Sequence, residues 1–170
     1  MAIEFPRVMK NMNLFVDGRG YAGRIDEIQL PKLTLKTEEH RAGGMDAPVE
    51  IELGMEKLEA EMTFSDYDPE LFRMFGLLDF QDVQVTIRGA MQAQGSAPSP
   101  IVINLHGGWR ELDGGSWKPG DKSTLKASLA AKYYRLSIAD QELIEIDAAN
   151  LVRKVGGVDQ MAAVRSAIGL

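Results

Sequence analysis

The sequence contains no cysteine, so neither a disulfide framework nor a thiolate metal site is expected. Histidine is nearly as scarce. His40 and His106 are the only two, and neither belongs to an HxxxH or HExxH spacing that would direct two imidazoles at one metal ion. We therefore predict no metal site and no other cofactor.

The chain also lacks a long apolar run. No stretch approaches the roughly 18 residues that span a bilayer, which argues against membrane insertion. The first residues lack the apolar core of a secretory signal, which predicts a cytoplasmic address. Basic residues are outnumbered by acidic ones, 19 against 25, for a net charge of −6. A negative net charge does not favour binding to the phosphate backbone of nucleic acid, so specific nucleic-acid binding is not expected. DNA could still slide past such a surface.

Catalytic motifs are missing as well. The chain has no P-loop, and none of its serines stands in a GxSxG elbow. Residues 18–23 match GxGxxG, but Pro31 follows too soon for the helix that a dinucleotide site requires. We interpret that segment as a glycine-rich turn and predict that the protein is not an enzyme.

The clearest structural signal lies in residues 30–54, where apolar and charged residues alternate with period two, as in half-buried strands. The apolar positions are Leu33, Leu35, Val49, Ile51 and Leu53, and the charged positions are Lys32, Lys36, Glu50 and Glu52. Between the two arms, residues 40–48 are too long for a two-residue turn and contain Gly43 and Gly44, which permit positive φ. The pattern predicts a long hairpin with a projecting loop, in which Lys36 and Lys32 lie opposite Glu50 and Glu52.

The apolar face of this hairpin requires a cover. Burying a side chain of this size stabilises a protein by about 1.5–3 kcal/mol, so leaving all of them wet would forfeit about 10 kcal/mol. That is comparable with the net stability of a whole domain, about 5–15 kcal/mol. The sequence leaves open whether the cover is the same chain or a neighbouring copy.

Further alternating segments at residues 58–64, 83–87, 101–105 and 125–138 predict more strands. A one-residue phase change after Tyr133 predicts a bulge or a change of neighbours. Asp68, followed by a proline and a glutamate, predicts the start of a short helix that ends near Gly76. Asp159 is predicted to cap a C-terminal helix whose apolar stripe is Met161, Val164 and Ile168.

These elements predict one domain, residues 1–170, that is mainly β: a β-sandwich or a rolled antiparallel sheet with long hairpins, a short flanking helix and a C-terminal helix. Long hairpins bring open edges, which favour pairing with other chains. One rival interpretation is a monomeric, lectin-like β-sandwich that binds a glycan through Trp109 and Trp117, although tryptophans in such positions are more often core residues.

Several segments carry a family resemblance that covers nearly the whole chain. The most specific is the loop of Arg41, Ala42, Gly43, Gly44, Met45 and Asp46 with its flanking strands. Residues 13–18, 30–38, 133–136, 145–147 and 156–160 add to it. In these segments the chain resembles the major tail tube proteins of contractile-tailed phages and R-type pyocins.

The resemblance implies a tail-tube-like fold and a structural role in a virion tail. Copies of such proteins form hexameric rings that stack into a tube inside a contractile sheath, around a channel for DNA or for membrane puncture. It implies that the partners are the protein itself, the tail sheath protein, and the baseplate, tape measure and tail terminator proteins. Assembly is expected in the cytoplasm of the bacterial host.

Within that picture, neighbouring copies cover the hairpin, and the loop from Arg41 to Asp46 docks on the next ring. In a closed barrel one strand face packs on the subunit and the other lines the channel. The charged positions Lys32, Lys36, Glu50 and Glu52 are then expected to face the lumen, because burying unpaired ions costs several kcal/mol each.

Overall fold

The computed structural model describes residues 5–78 and 83–170, which form twelve strands and two helices. The strands are β1 Val8–Val16, β2 Arg19–Gly20, β3 Ile25–Gln29, β4 Leu35–His40, β5 Val49–Met55, β6 Leu58–Phe64, β7 Val83–Gln92, β8 Ser99–Asp113, β9 Leu125–Ile138, β10 Gln141–Asp147, β11 Val152–Val155 and β12 Val158–Asp159. The helices are α1 Pro69–Arg73 and α2 Ala162–Ile168. The predicted mainly β fold is confirmed.

Ten of these strands form one antiparallel sheet in the order β12-β11-β10-β9-β8-β7-β1-β2, with β6 and β3 on a second branch. The branch point is β9. One edge of β9 pairs with β8, while the other pairs first with β6, through residues 125–131, and then with β10, through residues 133–138. The extra residue at the branch, Lys132, forms a bulge against β8. The phase change predicted at Tyr133 is therefore confirmed, and it reflects both a bulge and a change of neighbours.

The two branches roll towards each other. Residues 21–24 lead directly from β2, at one end of the sheet, to β3 on the other branch. Tyr21 is buried there, and its ring meets Phe64 edge-on at 5.1 Å between centroids. The preceding turn, Asp17 and Gly18, has positive φ at both residues and joins β1 to β2. The GxGxxG segment is thus a hairpin turn, as predicted, and not a nucleotide loop.

The hydrophobic core fills the inside of this roll. β6 shows the cause most simply, because its apolar residues are buried while the intervening residues are half-buried. The same alternation on β1, β7, β8 and β9 supplies most of the remaining core residues: Leu14, Val16, Val83, Val85, Ile87, Ile103, Leu105, Trp109, Leu125, Ala127 and Leu129.

α1 closes one end of the roll. Asp68 is its N-cap and accepts a hydrogen bond from the Glu70 backbone N–H at 2.9 Å, as predicted. Arg24 joins Asp68 and Asp66 at 3.1 Å each, which ties β3 to the start of the helix. Burial opposes ionisation of Asp68, but the Glu70 N–H and Arg24 outweigh it and hold the pKa of this carboxyl below its usual value. Only Leu71 of the helix is buried.

The C-terminal helix differs from the prediction. Asp159 lies in β12, and α2 begins at Ala162 with no side-chain cap. The Asp159 carboxylate instead accepts hydrogen bonds from the Met161 N–H at 3.0 Å and from Arg165 at 2.6 Å. None of the α2 residues is buried, so the helix is held mainly by polar contacts rather than by its apolar stripe. The predicted stop at Gly169 is confirmed, with φ of +85°.

Gly107 is predicted to be essential for the branch in the sheet. A Cβ at this position would lie 1.9 Å from the backbone oxygen of Ala130, and neither strand can retreat without breaking the β8–β9 ladder. We expect Gly107→Ala to lower the free energy of unfolding by about 3 kcal/mol or more, measured by urea denaturation. Gly43→Ala is the control, since a Cβ there meets nothing within 4 Å. Equal stability of the two variants would contradict the close approach.

The attachment of α2 is predicted to survive acid to an unusually low pH. Arg165 first, and then the Met161 N–H, lower the pKa of Asp159 from 3.8 to about 2. A carboxyl with a lowered folded-state pKa stabilises the docked form fully above its unfolded pKa and loses that contribution as the pH falls through the folded value. We expect NMR signals of residues 162–168 to titrate near pH 2, with signals of the β-sheet core as the reference for global unfolding. A midpoint near 3.8, or the same titration in Asp159→Asn, would argue against this latch.

Candidate assembly interface

β4 and β5 form a separate two-stranded sheet that pairs only within itself in the described part of the chain. The predicted long hairpin is therefore confirmed, although its first strand begins at Leu35 and its second continues to Met55. The hairpin joins the rest of the molecule at the Leu58 end of β6.

The register of the hairpin differs from the prediction. Glu50 lies opposite Glu39 and Glu52 lies opposite Thr37, so the expected pairing of Lys36 and Lys32 with these glutamates is wrong. The cause is a bulge beside Leu35, where Leu53 and Gly54 together occupy the place opposite Lys36. Gly54 has φ of +106°, a conformation open to glycine and rarely to other residues.

In this register, each face of the hairpin carries both apolar and charged residues. Residues directly opposite each other in an antiparallel pair share a face, and the faces alternate along each strand. One face carries Val49 and Ile51 together with Lys36, Glu38 and His40. The other carries Glu50 and Glu52 together with Leu35, Thr37 and Glu39. The expectation that Lys36 shares one charged face with Glu50 and Glu52 is therefore wrong.

One of these faces is joined to the subunit by an ion pair. The Glu52 carboxylate accepts a hydrogen bond from Arg153 of β11 at 2.6 Å, and the Arg153 side chain is only 17% exposed. Met55, at the base of the hairpin, packs against the core. The hairpin is therefore tied to β11 by this ion pair, while both of its faces are otherwise exposed.

The apolar side chains of the hairpin are not covered by the described part of their own chain. Leu33, Leu35, Val49, Ile51 and Leu53 are between 41% and 52% exposed. Burying the exposed half of such side chains is worth about 1 kcal/mol each. The question left open by the sequence is thus answered in part, because residues 5–78 and 83–170 supply no such cover.

The loop at the hairpin tip is exposed but locally ordered. The backbone N–H of Met45 donates to the Ala42 carbonyl at 3.2 Å, and the Met45 sulfur accepts from the Ala42 N–H at 3.3 Å. Gly44 has φ of +86°, whereas Gly43 does not adopt positive φ. Only one of the two glycines therefore requires its residue type for conformational reasons.

A second uncovered apolar surface lies beside α1. Trp117 is 77% exposed, and its indole N–H donates to the Tyr67 hydroxyl at 2.7 Å, while that hydroxyl donates to the Gly114 carbonyl. Phe72 packs against the other side of Tyr67 and is 46% exposed. The expectation of a core position is confirmed for Trp109, at 3% exposure, and is wrong for Trp117. Residues Gly114 and Gly115 complete a shallow apolar concavity here.

Within residues 5–78 and 83–170, no three or more His, Asp or Glu side chains come together as a metal site would require. His106 stacks on Tyr133 with 4.6 Å between ring centroids, and His40 lies in β4. In the same part of the chain, no helix is long and apolar enough to cross a membrane.

A mainly β roll with a detached, uncovered hairpin suits a structural protein that assembles with other chains. The family described as phage tail tube protein FII matches residues 6–169, so the chain belongs to this family. It is a structural subunit of a phage tail tube, as the resemblance implied.

Two relatives match over almost their full length. The tail tube protein of Escherichia phage P2 is 33% identical over 169 residues, which cover 97% of this chain and 98% of the relative. The major tail tube protein of Serratia phage KSP20 is 32% identical over 168 residues, or 97% of each. These matches do not support the lectin-like alternative.

A solved structure has a similar fold. It is described as the sheath/tube terminator, in the extended state, of PVC, an extracellular contractile injection system. The TM-score is 0.62 at 12% identity, over 80% of this chain and 99% of that one. This similarity concerns the fold alone.

The Arg153–Glu52 ion pair is predicted to hold the hairpin to its subunit. At concentrations where the protein is monomeric, Arg153→Met should raise amide hydrogen exchange in β4 and β5 several-fold while leaving β7 and β8 unchanged. The loss of stability should be at most about 1 kcal/mol, since Glu52 is largely exposed. Lys126→Met, which removes an exposed ion pair to Glu61, is the control. Unchanged exchange in β5 would mean that other contacts fix the hairpin.

Proposed function

We propose that the chain assembles with copies of itself into hexameric rings that stack into the inner tube of a contractile tail. The observation that carries this proposal is the β4–β5 hairpin, which is detached from the main sheet and leaves its apolar side chains uncovered. A monomer has no use for such a surface, because exposed apolar patches and open strand edges invite association. The role is structural and not enzymatic.

The remaining partners follow from a place inside a contractile tail. We propose that the assembled tube contacts the tail sheath protein along its length and the baseplate, tape measure and tail terminator proteins at its ends or in its channel. Assembly takes place in the cytoplasm of the bacterial host, and the virion tail is the final location. DNA, or a puncturing tip, passes through the channel without specific binding, in keeping with the acidic net charge of −6.

Two parts of the hairpin have proposed positions in the tube. The loop of Arg41, Ala42, Gly43, Gly44, Met45 and Asp46 docks on the next ring, because it projects from the hairpin and is held in one conformation by Met45. Lys32, Lys36, Glu50 and Glu52 are all exposed and remain candidates to line the channel. They do not form one stripe, since Lys36 lies on the opposite face from Glu50 and Glu52, so only one of these two groups can face the channel.

Purified protein is expected to form rings or tubes with a central hole in negative-stain microscopy. Gly44→Ala should shorten or abolish the tubes, because an L-residue at φ of +86° costs about 1 kcal/mol or more and the cost repeats at every subunit of a ring. Gly43→Ala should form normal tubes, since that position has neither positive φ nor a close neighbour.

Two outcomes would count against this. A protein that stays monomeric at high concentration, with no hole-bearing particles, would overturn self-assembly. Tubes of normal length from Gly44→Ala would overturn the docking role of the loop while leaving self-assembly intact.

A further inference from the structure

Two uncovered apolar surfaces lie at opposite ends of β6. The hairpin extends beyond Leu58, at one end, and contacts β11 through the Glu52–Arg153 ion pair. At the other end, the chain continues from Phe64 to α1. Phe64 there pairs with Leu125, the first residue of β9. We call the exposed aromatic surface at this end, formed by Tyr67, Phe72 and Trp117, the aromatic platform. With about 3.3 Å per strand residue, β6 alone separates the two surfaces by about 20 Å.

The aromatic platform is arranged in advance for binding. The hydrogen bond from Trp117 to Tyr67, and the contact of Tyr67 with Phe72, hold the three rings in place although two of them are largely exposed. Rigid, exposed Trp and Tyr residues are typical of the centres of protein interfaces, because little conformational entropy is lost when they are covered. The shallow concavity that they form with Gly114 and Gly115 is mainly apolar, so an apolar side chain can pack in it.

We propose that the hairpin face bearing Val49 and Ile51 packs on the aromatic platform of the next copy, in a repeating head-to-tail contact. This proposal rests on the proposed tube function and names the surface that covers the hairpin. The ligand of the platform is accordingly a second copy of this chain.

Three observations favour a second copy in this arrangement. A ring or tube built from one kind of chain needs two different surfaces that complement each other, since only heterologous contacts propagate. Both faces of the hairpin are exposed, but the face with Glu52 has an ion pair to Arg153 of its own subunit, whereas no hydrogen bond or ion pair joins the face with Ile51 to the described residues. Neither surface carries charge of a single sign: Lys36 and Glu38 lie beside Ile51, and Arg73 and Glu70 lie beside Phe72, so no net repulsion opposes the contact.

Among the other exposed apolar residues, those of β11, β12 and α2 are less suitable as the opposite end. Val155, Val158, Val164 and Ile168 belong to β11, β12 and α2, and β11 is the strand that the hairpin itself contacts. They therefore lie at the same end of the molecule as the hairpin. The aromatic platform is at the other end, where a repeating contact requires its partner.

Chemical cross-linking tests the contact directly, because the chain has no cysteine of its own. In a chain with both Ile51→Cys and Phe72→Cys, a short bismaleimide linker should produce a ladder of covalent oligomers on denaturing gels. Ile51→Cys alone should give no covalent dimer, since the contact is not hairpin to hairpin. The pair Ile51→Cys and Gln94→Cys, with its second cysteine on the exposed β7–β8 loop, should give no ladder.

A mixing experiment gives an independent test. Ile51→Lys keeps an intact platform, and Phe72→Lys keeps an intact hairpin, so neither should form tubes alone. Mixed together they should form a 1:1 complex of twice the mass of one chain, seen by analytical ultracentrifugation, because one good hairpin can still dock on one good platform. Gln94→Lys, with the same change in charge, should assemble normally. Trp117→Ala should raise the lowest concentration for assembly at least about tenfold.

The outcomes separate this contact from the tube itself. If the parent protein forms tubes but the cross-linked ladder and the mixed complex are both absent, the hairpin has another partner surface and the present inference is overturned. Normal tubes from both Phe72→Lys and Trp117→Ala would overturn it as well. If the parent protein never assembles, the proposed function fails too. Thermal unfolding monitored by circular dichroism identifies any variant that fails to fold, and the Trp117 variant then replaces Phe72→Lys.

Discussion

The shared edge of β9 is the constraint on which the rest of the structure depends. A strand has two edges, and one edge of β9 pairs with β8 along its whole length. The second edge must serve both β6 and β10, which are placed end to end on either side of the bulge at Lys132. The close approach of Gly107 to Ala130 makes this arrangement possible. From it follow the roll, the buried core and the direction in which the hairpin leaves β6.

The position of the hairpin shows this dependence. β5 directly precedes β6 in the chain but pairs with β4 and not with the main sheet, where β10 occupies the edge of β9 next to β6. Apart from its base, the hairpin is joined to the subunit at β11, where Arg153 bonds Glu52. An exposed, two-stranded hairpin is marginally stable by itself. This one is kept in place at its base by Met55 and at its side by one ion pair, while its outer face stays open.

Much of the fold could be predicted from the sequence, because the alternation of apolar and polar residues along a strand indicates which side chains are buried. Leu58 to Phe64, the β7–β8 hairpin and the phase change at Tyr133 all follow from side chains that must choose between core and solvent. The register of β4 against β5 could not be predicted in this way. Neither face of that hairpin is buried in the subunit, so the alternation of apolar and polar residues does not determine the pairing. The bulge at Gly54 moves the pairing without leaving any unfavourable residue in a core. The assignment of Lys36 to the face of Glu50 failed for the same reason.

Two other differences between prediction and structure have one cause. A sequence shows which environment a side chain prefers, but not whether the fold has a position of that kind for it. Trp117 prefers burial, but the core beside α1 is already filled by Leu71 and Trp109, so the ring is held at the surface by Tyr67. Asp159 is a favourable helix cap, but β12 extends through it, and its carboxylate instead binds Arg165. In both cases local preference is overridden by packing elsewhere, and the displaced group acquires a defined polar contact.

Leaving apolar surface open has an energetic consequence for assembly. The uncovered hairpin side chains together represent a few kcal/mol of unrealised burial, which is too little for a tight dimer once the loss of translational and rotational freedom is counted. In a closed ring, however, the last subunit to bind makes contacts on both sides while its freedom is lost only once. Weak contacts of this size therefore favour complete rings over isolated pairs. Each protomer has a complete hydrophobic core, and each of its assembly surfaces contributes only a small binding free energy. It can therefore remain folded and monomeric until enough copies are present to close a ring.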